Sequence, residues 1–129
     1  MNISLWINEL KKNTLKNYVS YKGLTLYSEQ EIQNHDFLID FSVNQSFGMI
    51  YLEGILGGKK VYASNNSGSI EVLKDIENSI YDNYDELLDY LSKIDKVTTE
   101  ELKKNYQIIS EKYSLEVTTE KFLSLVDKK

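Results

Sequence analysis

Apolar and polar residues alternate in the middle of the chain, and this pattern predicts β-strands. From residue 37 to residue 43, large apolar side chains take every second position, which is typical of a strand buried on one face. Gly57 and Gly58 form a two-residue hairpin signal, because glycine accepts positive φ. The predicted strands cover residues 37–43, 47–56, 59–64 and 69–74, with an additional edge strand over 24–31.

A helical period marks the two ends of the chain. Apolar residues at positions 3, 6, 7 and 10 follow the spacing of an amphipathic helix. Later, Asn83 is followed three residues on by Glu86, a pair that resembles a capping box. In the helix that starts there, Tyr84 is predicted to face the core. The predicted helices cover residues 3–18, 83–94, 99–112 and 119–127.

A short sequence, Val-Thr-Thr-Glu, occurs at residues 97–100 and again at 117–120. Threonine caps helices well, so both copies are interpreted as helix starts that use the same cap. No linker rich in Gly, Ser or Pro divides the chain. The prediction is therefore a single α+β domain over residues 1–129. The domain is predicted to contain an antiparallel meander of four or five strands, residues 24–74. The N-terminal helix and the C-terminal helices are predicted to pack on this sheet.

The composition favours binding over catalysis. The chain has no cysteine, arginine or proline and a single histidine, yet it carries 20 carboxylates and 10 tyrosines. No thiol can act as a nucleophile, and no guanidinium can bind phosphate at two points. No His/Cys cluster or EF-hand spacing indicates a metal. We therefore predict a non-enzymatic protein without catalytic residues, cofactor or metal.

One enzymatic alternative is a small hydrolase that uses His35, Asp36 and Asp40. A His–Asp pair can act as a general base. However, adjacent residues of a strand point to opposite faces, so His35 and Asp36 are not expected to face each other. Under this hypothesis, substituting His35 would abolish activity.

The predicted location is the cytoplasm, without membrane association. No apolar run approaches the ~18 residues that a membrane-spanning helix needs. The first residues also lack the basic and continuous apolar regions of a signal peptide. The absence of cysteine is typical of a reducing compartment.

The charge distribution points to a basic partner. The net charge is -5, so direct nucleic-acid binding, which needs a basic surface, is not expected. Residues 71–95 hold eight carboxylates and two lysines, a charge of -6, and the rest of the chain sums to +1. In this window Asp85 and Asp89 are four residues apart, a spacing at which like charges repel on a helix.

Tyrosines are interleaved with these acids, and tyrosine is a preferred interface residue. Tyr81 and Tyr90 are the predicted surface tyrosines. The repulsion between Asp85 and Asp89 does not stabilise the helix. These two residues are therefore expected to serve another purpose, namely binding a partner. The predicted partner-binding residues are Asp75, Glu77, Tyr81, Asp82, Asp85, Asp89 and Tyr90.

Four stretches carry a resemblance to a known family: Leu5–Asn13, Phe37–Phe41, Gly48–Leu52 and the acidic Asp85–Leu91. Their order resembles that of the small immunity proteins of bacterial polymorphic-toxin and contact-dependent growth inhibition systems, in particular the TriTu-type group. The resemblance covers about residues 3–95. It implies a cytoplasmic, non-enzymatic antitoxin that neutralises a cognate toxin domain, often a nuclease, by covering its active site or an essential surface.

A nuclease is basic around its substrate groove, so the acidic window would complement it. The alternative is an acidic adaptor or nucleic-acid mimic that binds a basic protein of the host through the same window. Genomic neighbourhood separates the two hypotheses, because an immunity gene is expected directly after a toxin gene.

Overall fold

The computed structural model describes residues 17–127, and its sheet consists of three short parallel strands. They are β1 (Phe37–Asp40), β2 (Lys60–Ser64) and β3 (Ile80–Tyr81), in the order β1-β2-β3. The α-helices are α1 (Ser28–Gln33), α2 (Met49–Leu56), α3 (Ser67–Leu73), α4 (Tyr84–Ser92), α5 (Thr99–Lys112) and α6 (Leu115–Val126). The predicted helix over 3–18 lies, except for its last two residues, outside the described part.

Helices cover both faces of the sheet. Parallel neighbours require a crossover connection, and here α2 links β1 to β2 while α3 links β2 to β3. Along β2, Val61 and Ala63 point to the face that α2, α3 and the Ile109 side of α5 cover. Tyr62 points to the opposite face, where it packs with Leu87 of α4. The central strand is therefore enclosed on both sides.

The prediction of an antiparallel four- or five-stranded meander is wrong, and residues 47–56 are the main reason. This segment contains α2, whose side chains include the buried Tyr51, Leu52 and Ile55. Because α2 lies against the sheet and against α3, it is apolar on most of its circumference. A short apolar run of this kind is compatible with either a strand or a helix.

The predicted Gly57-Gly58 hairpin is also wrong, because these residues end α2. Gly58 has φ +76°, the left-handed conformation that glycine adopts without strain. Its N–H donates to Ile55 O at 2.9 Å, and the next N–H, of Lys59, donates to Gly54 O at 3.0 Å. This pair of bonds is a Schellman motif, which closes the helix and directs the chain into β2.

The predicted strands over 69–74 and 24–31 are helical or irregular. Most of 69–74 belongs to α3, which Asn66 caps: its Oδ1 accepts from the Ser69 N–H at 2.9 Å, and the Ser69 Oγ accepts from the Asn66 N–H at 2.9 Å. This capping box is a helix-start signal that competes with the period-two pattern. In 24–31, the chain is irregular until α1 begins at Ser28.

The predicted helices 83–94 and 99–112 correspond to α4 and α5. Asn83 accepts a hydrogen bond from the Glu86 N–H at 2.9 Å, and Thr98 accepts one from the Glu101 N–H at 3.1 Å. Both caps are therefore the residues that the sequence indicates.

The last helix differs from its prediction. α6 begins at Leu115, four residues before 119, and its cap is Ser114, which accepts a hydrogen bond from the Val117 N–H. The second Val-Thr-Thr-Glu copy, residues 117–120, lies inside α6. Its interpretation as a helix start is wrong, because the serine three residues upstream caps the helix first.

Candidate functional site

The carboxyl edge of a parallel sheet is the usual place for a ligand, but here a polar network fills it. Asp40 ends β1, and its carboxylate accepts hydrogen bonds from the hydroxyls of Tyr51 and Ser42, the latter at 2.6 Å. The backbone O of Ser42 accepts from the Ser64 hydroxyl and from Asn66 Nδ2. These hydrogen bonds hold the loop after β1 against the carboxyl edge of the sheet. We therefore interpret the network as structural.

The Tyr51 phenol is held neutral within this network. Burial, and then its hydrogen bond to Asp40, raises the pKa of Tyr51 to about 12. The phenol therefore remains a hydrogen-bond donor to Asp40 throughout the physiological pH range.

Three of the predicted partner-binding residues lie on the outward side of α4 or in the loop directly before it. Asp82, Asp85 and Asp89 are exposed, and Asp85 and Asp89 lie one above the other at i, i+4. Asp82 Oδ1 accepts from Asn65 Nδ2 at 2.7 Å, and Asp89 Oδ2 lies 2.9 Å from Lys93 Nζ. We call these three exposed carboxylates the acidic edge of α4.

Asp75 does not lie on this edge. It is 3.9 Å from Lys112 Nζ on α5, which covers the other face of the sheet. Glu77 is exposed in the loop between α3 and β3, where its backbone O accepts from Lys60 Nζ at 2.6 Å. At least one member of the predicted set, Asp75, is therefore directed away from α4.

The two predicted surface tyrosines point inward. Tyr81 is 3% exposed, and its hydroxyl donates to Asp40 O at 2.8 Å. Tyr90 is half-buried and stacks on Tyr62 with ring centroids 6.1 Å apart. Its hydroxyl donates to Glu86 Oε1 at 2.9 Å, and burial together with this bond raises the pKa of Tyr90 to about 12. Tyr81 cannot contact a partner while the fold is intact.

Three other apolar residues occupy the surface instead. Tyr84 is 70% exposed, Leu88 62% and Phe41 58%, so the prediction that Tyr84 faces the core is wrong. The rings of Phe41 and Tyr84 lie 6.4 Å apart between centroids, and Tyr84 and Leu88 are neighbours at i, i+4. We call this surface the acidic–aromatic face; its members are Phe41, Asp82, Tyr84, Asp85, Leu88 and Asp89.

The helical period of α4 indicates that Tyr84 and Leu88 lie near the surface. Leu87 and Tyr90, three residues apart, face the sheet. Because successive helix residues are rotated by about 100°, Tyr84 and Leu88 then turn toward the boundary with solvent. Phe41 offers no comparable signal, because its exposure depends on where β1 ends.

The residues of the hydrolase hypothesis are not brought together. His35 is exposed before β1, with Nδ1 2.5 Å from Glu31 O, whereas Asp40 ends the same strand. At about 3.3 Å per strand residue, the two are separated by the length of β1. Within residues 17–127, no group of three His, Asp or Glu side chains is arranged to hold a metal ion.

Two apolar grooves lie away from the acidic–aromatic face. One, with a volume of about 720 Å³, runs between α1 and α2; its lining includes Ile32 and Leu52. The other, of about 360 Å³, lies beside β1 and contains His35. Among the described residues, the surface that lines each groove is mainly apolar.

Comparison with protein-family models, with curated proteins and with solved structures found no match. None of the helices in the described range is both long enough and apolar enough to cross a lipid bilayer. The inference of function therefore rests on the geometry of the chain itself.

Proposed function

We propose that this chain is an immunity protein of a bacterial toxin system and that it neutralises its cognate toxin domain by binding it, without catalysis, in the cytoplasm. The observation that carries the proposal is the acidic–aromatic face. Exposed apolar side chains, Tyr84 and Leu88, lie beside the exposed carboxylates Asp85 and Asp89. An apolar centre with a charged rim is the common anatomy of a protein–protein interface.

The charge of this face favours a basic partner. An acidic surface raises the association rate with a basic one through long-range attraction. A nuclease domain must present positive charge to bind phosphates, so it is the toxin class that the face complements best. Covering the basic groove of such a domain would exclude its nucleic-acid substrate.

An acidic adaptor that binds a basic protein of the host would use the same face. The two hypotheses differ in where the partner is encoded. We expect the partner to be a toxin domain encoded by the gene that immediately precedes this one.

Co-expression tests the proposal. Induction of that toxin domain alone should arrest bacterial growth, and induction together with this chain should restore growth. The two proteins should also co-purify as a complex. A preceding gene whose product is harmless, or a toxin against which this chain gives no protection, would contradict the immunity function.

A further inference from the structure

We infer that the acidic–aromatic face receives an arginine side chain of its partner, stacked on the exposed rings and paired with the neighbouring carboxylates. The inference rests on the proposed function only in taking the partner to be a basic protein. It identifies which basic side chain the face favours.

The rings offer a flat, accessible apolar surface. Tyr84 is 70% exposed, and its neighbour Phe41 is 58% exposed, with an angle of 58° between the two ring planes. Phe41 also contacts the buried Tyr81, at 6.5 Å between centroids. Tyr81 is held in place by its hydrogen bond to Asp40 O. Its contact with Phe41 therefore restrains the Phe41 ring. The rings are therefore pre-positioned, which reduces the ordering cost of binding.

Exposed carboxylates lie near the rings along the chain: Asp82 in the loop before α4, and Asp85 on α4, three residues before Leu88. Asp82 lies two residues before Tyr84, and Asp85 follows it directly; both are exposed. The hydrogen bond from Asn65 Nδ2 restrains the Asp82 carboxylate. Consecutive Cα atoms are only about 3.8 Å apart, so a cation on the Tyr84 ring would lie within the range of these charges. Charge complementarity therefore favours a cationic occupant of this patch.

Arginine fits this arrangement better than lysine. Its planar guanidinium stacks on aromatic rings and donates two parallel hydrogen bonds to a carboxylate. It is also less strongly hydrated than an ammonium, so less solvation is lost when it lies on an apolar surface. Lysine would interact with Asp82 and Asp85 mainly through its charge.

Titration with peptides tests the inference without the toxin. A blocked hexa-arginine peptide and a blocked hexa-lysine peptide carry the same charge, so their affinities differ only through side-chain chemistry. By NMR titration we expect the arginine peptide to bind about two- to fivefold more tightly. The largest shifts should occur at the Phe41 and Tyr84 rings.

Three variants separate stacking from charge. Tyr84→Ala should remove most of the preference for arginine, whereas Tyr84→Phe should retain it because the ring is kept. Tyr106→Ala, at a tyrosine that is 48% exposed on α5, is the matched control and should also retain the preference. Folding of each variant is checked by circular dichroism.

Equal binding of the two peptides, or a preference that Tyr84→Ala leaves unchanged, would overturn the inference. These outcomes are independent of the growth test. If the peptides behave as expected but no toxin is neutralised, the arginine site stands and the immunity function fails. If the toxin is neutralised while the peptides bind equally, the immunity function stands and the arginine site fails.

Discussion

Replacing Glu101 with alanine is expected to lower the free energy of unfolding by about 3 kcal/mol, because it leaves a buried cation without its counter-ion. Lys60 opens the central strand and is only 3% exposed. Its Nζ lies 2.9 Å from Glu101 Oε1 and donates to Glu77 O at 2.6 Å. Without Glu101, no described carboxylate is paired with this ammonium group; the Glu77 O and the Tyr62 ring, whose centroid lies 5.8 Å from Nζ, remain beside it.

The opposite substitution should be milder. Lys60→Met keeps the length of the side chain and removes the charge, while Glu101, whose side chain is 33% exposed, can turn to water. We expect a loss of about 1 kcal/mol or less, since apolar replacements of buried ions are often well tolerated. In the double variant, Lys60→Met with Glu101→Ala, most of the loss caused by Glu101→Ala should be recovered.

Urea unfolding at neutral pH measures these effects. Glu100→Ala is the matched control, because Glu100 is an exposed glutamate on the same turn, 3.7 Å from Lys103 Nζ. It should change the free energy of unfolding by no more than about 0.5 kcal/mol. If Glu101→Ala and Glu100→Ala had equal effects, the buried ion pair would not stabilise this fold.

The second large effect is expected at alkaline pH, where the free energy of unfolding should fall steeply between pH 10 and pH 12. Burial is the first cause that raises the pKa of Tyr51, Tyr62 and Tyr90 from 10.0 to about 12. The charge of Glu101 adds to the effect at Tyr62. In this window the unfolded chain has released protons that the folded chain still holds, so rising pH favours unfolding.

The size of this effect follows from the shifts. Tyr51 and Tyr62 are at most 1% exposed, and a shift of one pKa unit corresponds to about 1.4 kcal/mol. The rise of each pKa from 10.0 to about 12 should therefore make each tyrosine contribute ~3 kcal/mol, present in full below pH 10 and lost as the pH rises through 12. Together they amount to a large part of the ~5–15 kcal/mol that stabilises a typical domain.

Urea unfolding across this pH range, with tyrosinate absorbance recorded in parallel, checks the prediction. Tyr62→Phe should reduce the loss of stability between pH 10 and pH 12, whereas Tyr106→Phe, at an exposed position, should not. If every tyrosine ionised near pH 10 while the protein stayed folded, the proposed cause would be wrong.

The positions of two strands could be predicted from the sequence, but their direction could not. β1 and β2 lie within the predicted strands 37–43 and 59–64. Their parallel arrangement depends on the segment between them, and the apolar run of α2 does not distinguish a helix from a strand. A glycine just after a helix and an Asn/Ser cap at Asn66 are local signals that favour helices on both sides of β2. The period-two pattern and the glycine pair point to a hairpin at the same positions, so the local signals of the sequence conflict there.

The candidate site could be predicted only in part for a similar reason. Charged side chains stay in water, so the exposure of Asp82, Asp85 and Asp89 follows from their chemistry. The tyrosines are amphipathic, and burial of Tyr81 or exposure of Tyr84 depends on how α4 is rotated against the sheet. That rotation is determined by tertiary contacts such as those of Leu87.

The most direct test of the central claim, that the acidic edge of α4 engages a basic toxin domain, is the association rate with the purified domain at low and high salt. Asp85→Lys with Asp89→Lys should slow association at low salt and make it less dependent on salt. The matched control is Glu116→Lys with Glu120→Lys, which makes the same change of charge at the same spacing on exposed positions of α6; it should affect association much less. If the Asp85/Asp89 variant associates as fast as the unmodified protein and with the same salt dependence, the toxin binds elsewhere and the claim is contradicted.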